Sequence, residues 1–374
     1  MNNTWKIVCS AIGGASMPLT ENWRDVFEEC KKQKVAGLVF PNVAQYLPAN
    51  LWEEWKTYNL TMVSANVRLL HEQNQLGMLL KGYSFCILKG AAAAIDYPMP
   101  ELRAMGDVDF IVPEDHFDAV KSILLKNSYA LSEENNPRHI AFSKNGVLFE
   151  MHHYFRSGDS NIDQYIDRCW GRLCQGKIGN CVFPMLPTLE NGLTLLYHIC
   201  QHLHTGLGLR QILDWMMFVH ANLTDKFWES AFEPEVINLG LYKLAIITTR
   251  MCQMYLGLTE EITWCRDADE VLCSRLMENI IQAGNFGKNF GPGKTVEKTI
   301  INFRKDGLFC YLQKAGEYNW KAYHNHSWLK PFAWAYQIGR YGRQILRTGR
   351  KGISLHDDIS RSNERYELLR DLGL

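Results

Sequence analysis

The chain has no excess of either charge sign: its Lys plus Arg number 40 and its Asp plus Glu number 40. A balanced chain is not built to coat nucleic acid in bulk, although a local basic patch is compatible with that balance. No two of its 11 cysteines form a Cys-x-x-Cys pair, which leaves out a zinc ribbon and a thioredoxin-type site. Scattered thiols in odd number fit a reducing cytoplasm better than a disulfide scaffold. No apolar run approaches the roughly 18 residues of a membrane-spanning helix. The apolar patch Ile7–Ile12 behind Lys6 is too short and broken for a signal peptide. Internal repeats and low-complexity segments are absent too.

What is present is enough chain, 374 residues, for two or three domains. Residues 20–80 have helical spacing, with Trp23, Val26 and Phe27 and then Leu51, Trp52 and Trp55 on common faces. A long helix is predicted over 60–80, with Met62, Val67, Leu69, Leu70, Leu76 and Leu79 inward. The texture changes at Gly82. Strands are predicted at 84–88, 107–112, 129–131, 139–143 and 147–152, with Asn145-Gly146 as a hairpin turn. Short helices are expected at 90–97 and 113–127. From Pro187 the pattern is helical again, with a polar, charged tail. The expected class is α+β: a small mixed sheet with flanking helices, plus N- and C-terminal helical regions. The expected segments are 1–80, 81–186 and 187–374.

The chemistry concentrates between Leu88 and His152. In a strand, Asp107, Asp109 and Ile111 share one face, while Val108, Phe110 and Val112 take the other. Adjacent carboxylates raise each other's pKa unless a cation lies between them. Oxygen ligands of that kind suit Mg²⁺ or Mn²⁺. Without a metal, removing the charge of Asp109 should therefore relieve repulsion rather than unfold the chain. Glu150 sits in the middle of an apolar strand, where an acid is costly unless something pairs with it. Lys89-Gly90 lies at a strand-to-helix turn, where free N–H groups can meet a phosphate. Arg103 could bind a triphosphate or pair with the aspartates.

Together, Leu88-Lys89-Gly90, Arg103-x-x-x-Asp107-x-Asp109 and Phe149-Glu150-Met151-His152 resemble a bacterial nucleotidyltransferase family of uncharacterised function, within the polymerase β-like superfamily. The segment from Leu195 to His204, followed by Arg210 and Asp214, belongs to the same resemblance. It implies a small mixed nucleotidyltransferase sheet and a two-metal transfer. Asp107, Asp109 and Glu150 would be catalytic and metal-binding. Lys89, Gly90, Arg103 and His152 would bind nucleotide, and His198, His202, Arg210 and Asp214 would contact substrate. The cofactor would be Mg²⁺ or Mn²⁺ and the donor a nucleoside triphosphate, with an unidentified hydroxyl acceptor. One departure stands out: the superfamily usually has Gly-Ser or Gly-Gly at the phosphate turn, and here it is Gly90-Ala91. That keeps a second reading open, a non-catalytic relative that binds a nucleotide or a protein partner.

Other patterns carry less. His198 and His202 have a zinc-like spacing but lack the Glu of a metalloprotease motif. An Arg210–Asp214 ion pair along one helix face is the plain expectation. The loop Asn285–Lys294 misses the phosphate-loop pattern by one residue. Residues 327–351 interleave Trp328, Phe332, Trp334, Tyr336 and Tyr341 with Lys and Arg and contain no acid. A helix with aromatics inward and arginines in solvent explains them; a basic wall for an anionic acceptor is the alternative.

Overall fold

In the computed structural model, which describes residues 2–15, 22–134, 136, 138–156, 161–204, 206–284, 307–320, 327–348 and 355–374, one mixed sheet runs through the middle of the chain. Its strands are β1 (Cys86–Ile87), β2 (Val108–Ile111), β3 (Ala130–Glu133), β4 (His139–Lys144), β5 (Val147–His152), β6 (Cys174–Ile178) and β7 (Cys181–Met185), in the order β3-β4-β5-β2-β1-β7-β6. The β2–β5 and β1–β7 pairs are parallel and the others antiparallel. The β6–β7 hairpin extends the sheet beyond the five strands read from sequence. Its signal was present: Gly179 turns at φ 55° between short runs, and buried Cys181, Phe183 and Met185 alternate with Val182 and Pro184. The proline in β7 masked the pattern.

Four helices precede the sheet: α1 (Asn3–Gly13), α2 (Trp23–Lys32), α3 (Ala36–Val43) and α4 (Ala49–Leu79). The Asn2 side chain caps α1 by accepting from the Trp5 amide, and Gly14 ends it in the left-handed region. The longest, α4, starts eleven residues before the sequence reading placed it. Its inward face also differs. Val67 is 57% exposed, whereas Asn59, Asn66, Glu72 and Gln73 are buried. Asn66 explains the exchange. It donates to the carbonyls of Glu101 and Arg103 at 2.8 and 2.9 Å and accepts from the Met105 amide. The long helix thus holds the loop that delivers Asp107, a task that needs amide groups rather than apolar ones.

Within and after the sheet come α5 (Gly90–Ala94), α6 (Glu114–Lys126), α7 (Asn161–Asp167), α8 (Thr188–Leu203), α9 (Leu209–Asn222), α10 (Asp225–Phe227), α11 (Glu233–Asn238), α12 (Tyr242–Leu256) and α13 (Glu270–Ala283). Glu114 and Asp115 open α6 and Lys126 closes it, as the macrodipole favours. One face of the sheet, with Val108, Phe110, Val112, Phe149 and Met151, packs on α4 and α6 through Leu69, Leu70, Leu76, Phe117, Val120 and Leu124. The other face joins a larger core that runs from Trp5 and Phe27 through Cys86, Leu88 and Ile111 to Leu196, Trp215 and Leu276. The helices before the sheet and those after Pro187 therefore share one core.

Among the described residues, α14 (Leu308–Asn319), α15 (Ala333–Thr348) and α16 (Leu355–Asp371) follow. The tail is not simply polar: Leu368, Leu369 and Leu372 are buried in the large core. In the basic aromatic segment, Trp334 and Tyr336 pair with Phe309 and Trp320, Tyr336 stacking on Trp320 at 4.9 Å. Trp328 and Phe332 are exposed, so not all its aromatics turn inward. Lys351 and the loop 285–294 lie outside the described residues.

The helical layer is tied to the sheet by a buried ion pair. Arg103 Nε and Nη2 donate to Asp214 on α9 at 2.9 and 2.6 Å, and the Tyr97 hydroxyl donates to the same carboxylate at 2.8 Å. Both charged side chains are almost fully buried. Removing one partner strands the other charge without water, whereas removing both does not. Asp214→Ala should therefore lower unfolding stability in urea by about 3–5 kcal/mol. The pair Arg103→Met with Asp214→Leu should recover a good part of that loss. Equal losses in the single and double variants would show that the ion pair is not what the cost reflects.

Candidate active site

Strand pairing assembles the acidic cluster. In the parallel β2–β5 pair, Asp109 lies opposite Glu150 and Ile111 opposite His152. In the β4–β5 hairpin, His139 lies opposite His152. Partners in register share a face, so Asp109, Glu150, His139 and His152 rise from the same side of the sheet. Asp107, two residues before Asp109, follows onto that side. Asp107, Asp109 and Glu150 line one cavity of about 760 Å³ together with Lys89, Gly90, Arg138, Arg156, His198, His202 and Arg210.

The turn after β1 is backbone-strained. Lys89 adopts φ 50° and Gly90 φ 24°. A non-glycine residue in the left-handed region is held there by its surroundings. Here Lys89 Nζ reaches Asp109 Oδ1 at 3.2 Å and lies over the Phe155 ring. At Gly90 an added Cβ would meet only the Asp107 carbonyl, at 3.6 Å, so the turn opens onto the cavity. α5 has only five residues, so its contribution is its leading N–H groups rather than a full dipole.

The two aspartates have opposite electrostatics. Burial alone would raise Asp109, but the Lys89 charge and the His152 contact, Nε2 to Oδ1 at 2.8 Å, hold its carboxyl well below the usual range. Asp107 is answered only weakly, by the more distant charges of Lys89 and Arg210. Burial, then the charges of Asp109 and Glu150, push it up to about 6. That deficit is what a divalent cation would fill, and three carboxylates beside one another are a donor set that fits Mg²⁺ or Mn²⁺.

The remaining residues divide. His152 is buried, contacts Asp109 Oδ1 through Nε2 at 2.8 Å and is not among the residues that line the cavity. Arg103 lines the cavity, and its Nε and Nη2 are bonded to Asp214 rather than to Asp107 or Asp109. Asp214 is absent from the lining, and its ion partner is Arg103 rather than Arg210. Arg210 donates to the Ala104 carbonyl at 3.0 Å. Burial, then the Arg103 charge, lower its pKa. His198 and His202 approach Nε2 to Nε2 at 2.7 Å, so at least one ring is neutral. Burial, and secondarily His202, drive His198 well below its ordinary value. His139, Arg138, Arg156 and Tyr197 had not been singled out. For His139 a signal existed, because counting back from the Asn145-Gly146 turn places it against His152.

These electrostatics set a pH signature for metal-free protein. Folded Asp107 keeps its proton to about pH 6, while the unfolded chain releases it near 3.8. The native state thus binds more protons across that window, and stability falls as pH rises through it. Asp107→Asn should match the parent near the acid end and melt higher at neutral pH, in EDTA. Asp109 has the reverse sign: its depressed pKa gives stability at neutral pH that is lost on acidification. Asp109→Asn should therefore melt lower than the parent at neutral pH, contrary to the expectation from sequence. Thermal melts in EDTA across that range decide it; both variants shifting in one direction would contradict the division.

A sequence model of the family described as "uncharacterised nucleotidyltransferase" matches residues 20–257, which include the whole sheet and every acidic residue of the cavity. No curated protein matches the chain. Among solved structures, an antigenic nucleotidyltransferase-like protein from Paracoccidioides brasiliensis is similar at 15% identity and TM-score 0.33, over 52% of this chain and 92% of that one. Among the described residues no helix is long and apolar enough to cross a membrane. On the strength of that match to well over half its length, the chain belongs to the uncharacterised nucleotidyltransferase family.

Proposed function

We propose that the cleft moves a nucleoside monophosphate from a nucleoside triphosphate to a hydroxyl acceptor. The observation that carries this reading is the parallel register that sets Glu150 beside Asp109, with Asp107 in the same cavity and its carboxyl pushed up by burial and by both neighbours. A divalent cation held by Asp107, Asp109 and Glu150 would neutralise phosphate charge and acidify the acceptor hydroxyl. The turn at Lys89 and Gly90 supplies amides and open space for phosphate oxygens. Arg156, exposed at the cavity edge beside Tyr197, is placed to meet the outer phosphates or an anionic acceptor. Glu150 takes the hydroxyl proton as the oxygen attacks the α-phosphorus; the α–β bridging bond breaks and pyrophosphate leaves. Catalysis on this reading is mostly positioning and charge neutralisation. None of the cysteines is in a disulfide, which is consistent with a reducing cytoplasm as the working compartment.

The second reading, a non-catalytic binding protein, rests on Ala91. A serine hydroxyl that could grip the triphosphate is missing from the turn. Both readings can bind nucleotide, so turnover separates them.

Nucleotide binding itself is tested by calorimetry with triphosphate and Mg²⁺. Gly90→Val should abolish measurable triphosphate binding while leaving Mn²⁺ binding in place, because its side chain enters the cavity but spares the carboxylates. Lys89→Ala should weaken triphosphate binding by about 1.5–3 kcal/mol, the loss of one charge-assisted hydrogen bond. If both variants bind as the parent does, the phosphates do not lie at this turn.

A further inference from the structure

The acidic cluster has a nitrogen-rich side that the transfer reading leaves without a task. His139, on β4, and His152, on β5, are cross-strand partners, both buried, with ring centroids 5.1 Å apart. Glu150 lies between them. His139 Nδ1 and His152 Nε2 are each 3.6 Å from Glu150 Oε2, and the three donor atoms all lie within 4.8 Å of one another. Asp109 Oδ1 stands 2.8 Å from His152 Nε2. Around a tetrahedral ion with bonds of about 2.0–2.2 Å, donor atoms are separated by roughly 3.3–3.6 Å. The two distances from Glu150 to the histidines are of that size before any ion enters, and the two imidazole nitrogens lie within 4.8 Å of each other.

We infer that His139, Glu150 and His152 form a three-ligand site for a transition-metal ion such as Zn²⁺, Co²⁺ or Mn²⁺, its fourth position open to water or a ligand. Two imidazoles and carboxylate oxygens are a donor set that Mg²⁺, which prefers oxygen alone, does not favour. The strands keep the donors in place: the Asn145-Gly146 hairpin fixes His139 opposite His152, and the β2–β5 register fixes Asp109 opposite Glu150. Asn136 Nδ2 lies 3.3 Å from His139 Nε2, a contact in which the amide donates and Nδ1 carries the ring proton; an ion at Nδ1 displaces that proton to Nε2 and breaks this bond. Asp107 stays outside this set and remains available to an oxygen-ligated cation. The simpler alternative is a closed hydrogen-bond group in which His152 serves Asp109 and His139 serves Glu150. The inference deepens the proposed function, resting on its reading of the cleft as a metal centre, but it does not need a nucleotide.

The test is a Co²⁺ titration of EDTA-treated, dialysed full-length protein without nucleotide, read by visible absorption. One equivalent should produce an intense tetrahedral-type band, displaced by Zn²⁺ and retained in a large excess of Mg²⁺. His139→Ala should remove the band and weaken Zn²⁺ binding by about 100-fold or more, because losing a ligand costs at least as much as losing a residue that only orients one. Asp107→Asn should keep it. Because His152→Ala also frees Asp109, circular dichroism and His139→Asn serve as the folding control and second ligand variant. A parent that gives only the pale spectrum of octahedral Co²⁺, or a His139→Ala that titrates like the parent, overturns the inference. Cobalt binding without triphosphate binding keeps the site and removes the transfer reading; the reverse result does the opposite.

Discussion

A carboxylate inside an apolar sheet has to be answered by positive charge or a hydrogen bond, and Asp109 is answered twice. Lys89 reaches it from the strained turn after β1, and His152 reaches it from the neighbouring strand. Much of the local architecture follows. The left-handed conformation of Lys89 fits a lysine folded back over its own strand end. The buried histidine requires β5 to lie parallel to β2 in one register, because a slip of one residue would turn it to the other face. That same register carries Glu150 to the side of Asp109. Compensation of one charge and assembly of the acidic cluster are thus a single structural event.

Asp107 is the residue left over. Its carboxyl is pushed up by burial and by the charges of Asp109 and Glu150, and the smaller opposing pull of Lys89 and Arg210 does not cancel them. The two aspartates of one Asp-x-Asp therefore sit in opposite electrostatic settings, the one held ionised by Lys89 and His152, the other pushed toward its neutral form. The loop that carries Asp107 is held at three points. Asn66 grips its backbone from α4, Arg103 anchors it to Asp214, and Arg210 closes on the Ala104 carbonyl. Residues that looked like nucleotide contacts are in part the fastening of this loop. Arg103 is the clearest case.

How much of this was legible follows from the range of each interaction. Alternation along β2 separated the acidic from the apolar face without any tertiary information, and both faces pack as that pattern implies. The Asn-Gly turn defined the β4–β5 pairing closely enough to have found His139. Arg103 and Asp214 are separated by more than a hundred residues, and nothing local marks them as partners. Local spacing instead suggested Arg210 with Asp214, since three- and four-residue offsets are all that a helix pattern reveals. The polar face of α4 was hidden for a related reason: periodicity rewards apolar positions, so Asn66 counted against the inward face that it in fact occupies. The β6–β7 hairpin was obscured by a proline and by short strands. The shared core of the first and last helical segments depends on packing between distant elements, which composition does not encode.

The most direct measurement is a transfer assay with triphosphates labelled at the α- or the γ-phosphate, incubated with protein, Mg²⁺ or Mn²⁺ and a cell extract as the source of acceptor. Nucleotidyl transfer predicts that α-label appears on an acceptor, that γ-label leaves only as pyrophosphate, and that Glu150→Gln removes both signals while the protein remains folded. Label on the acceptor from the γ-position, or triphosphate bound tightly but recovered intact with every extract fraction, would contradict nucleotidyl transfer and leave the cleft as a phosphoryl-transfer or binding site.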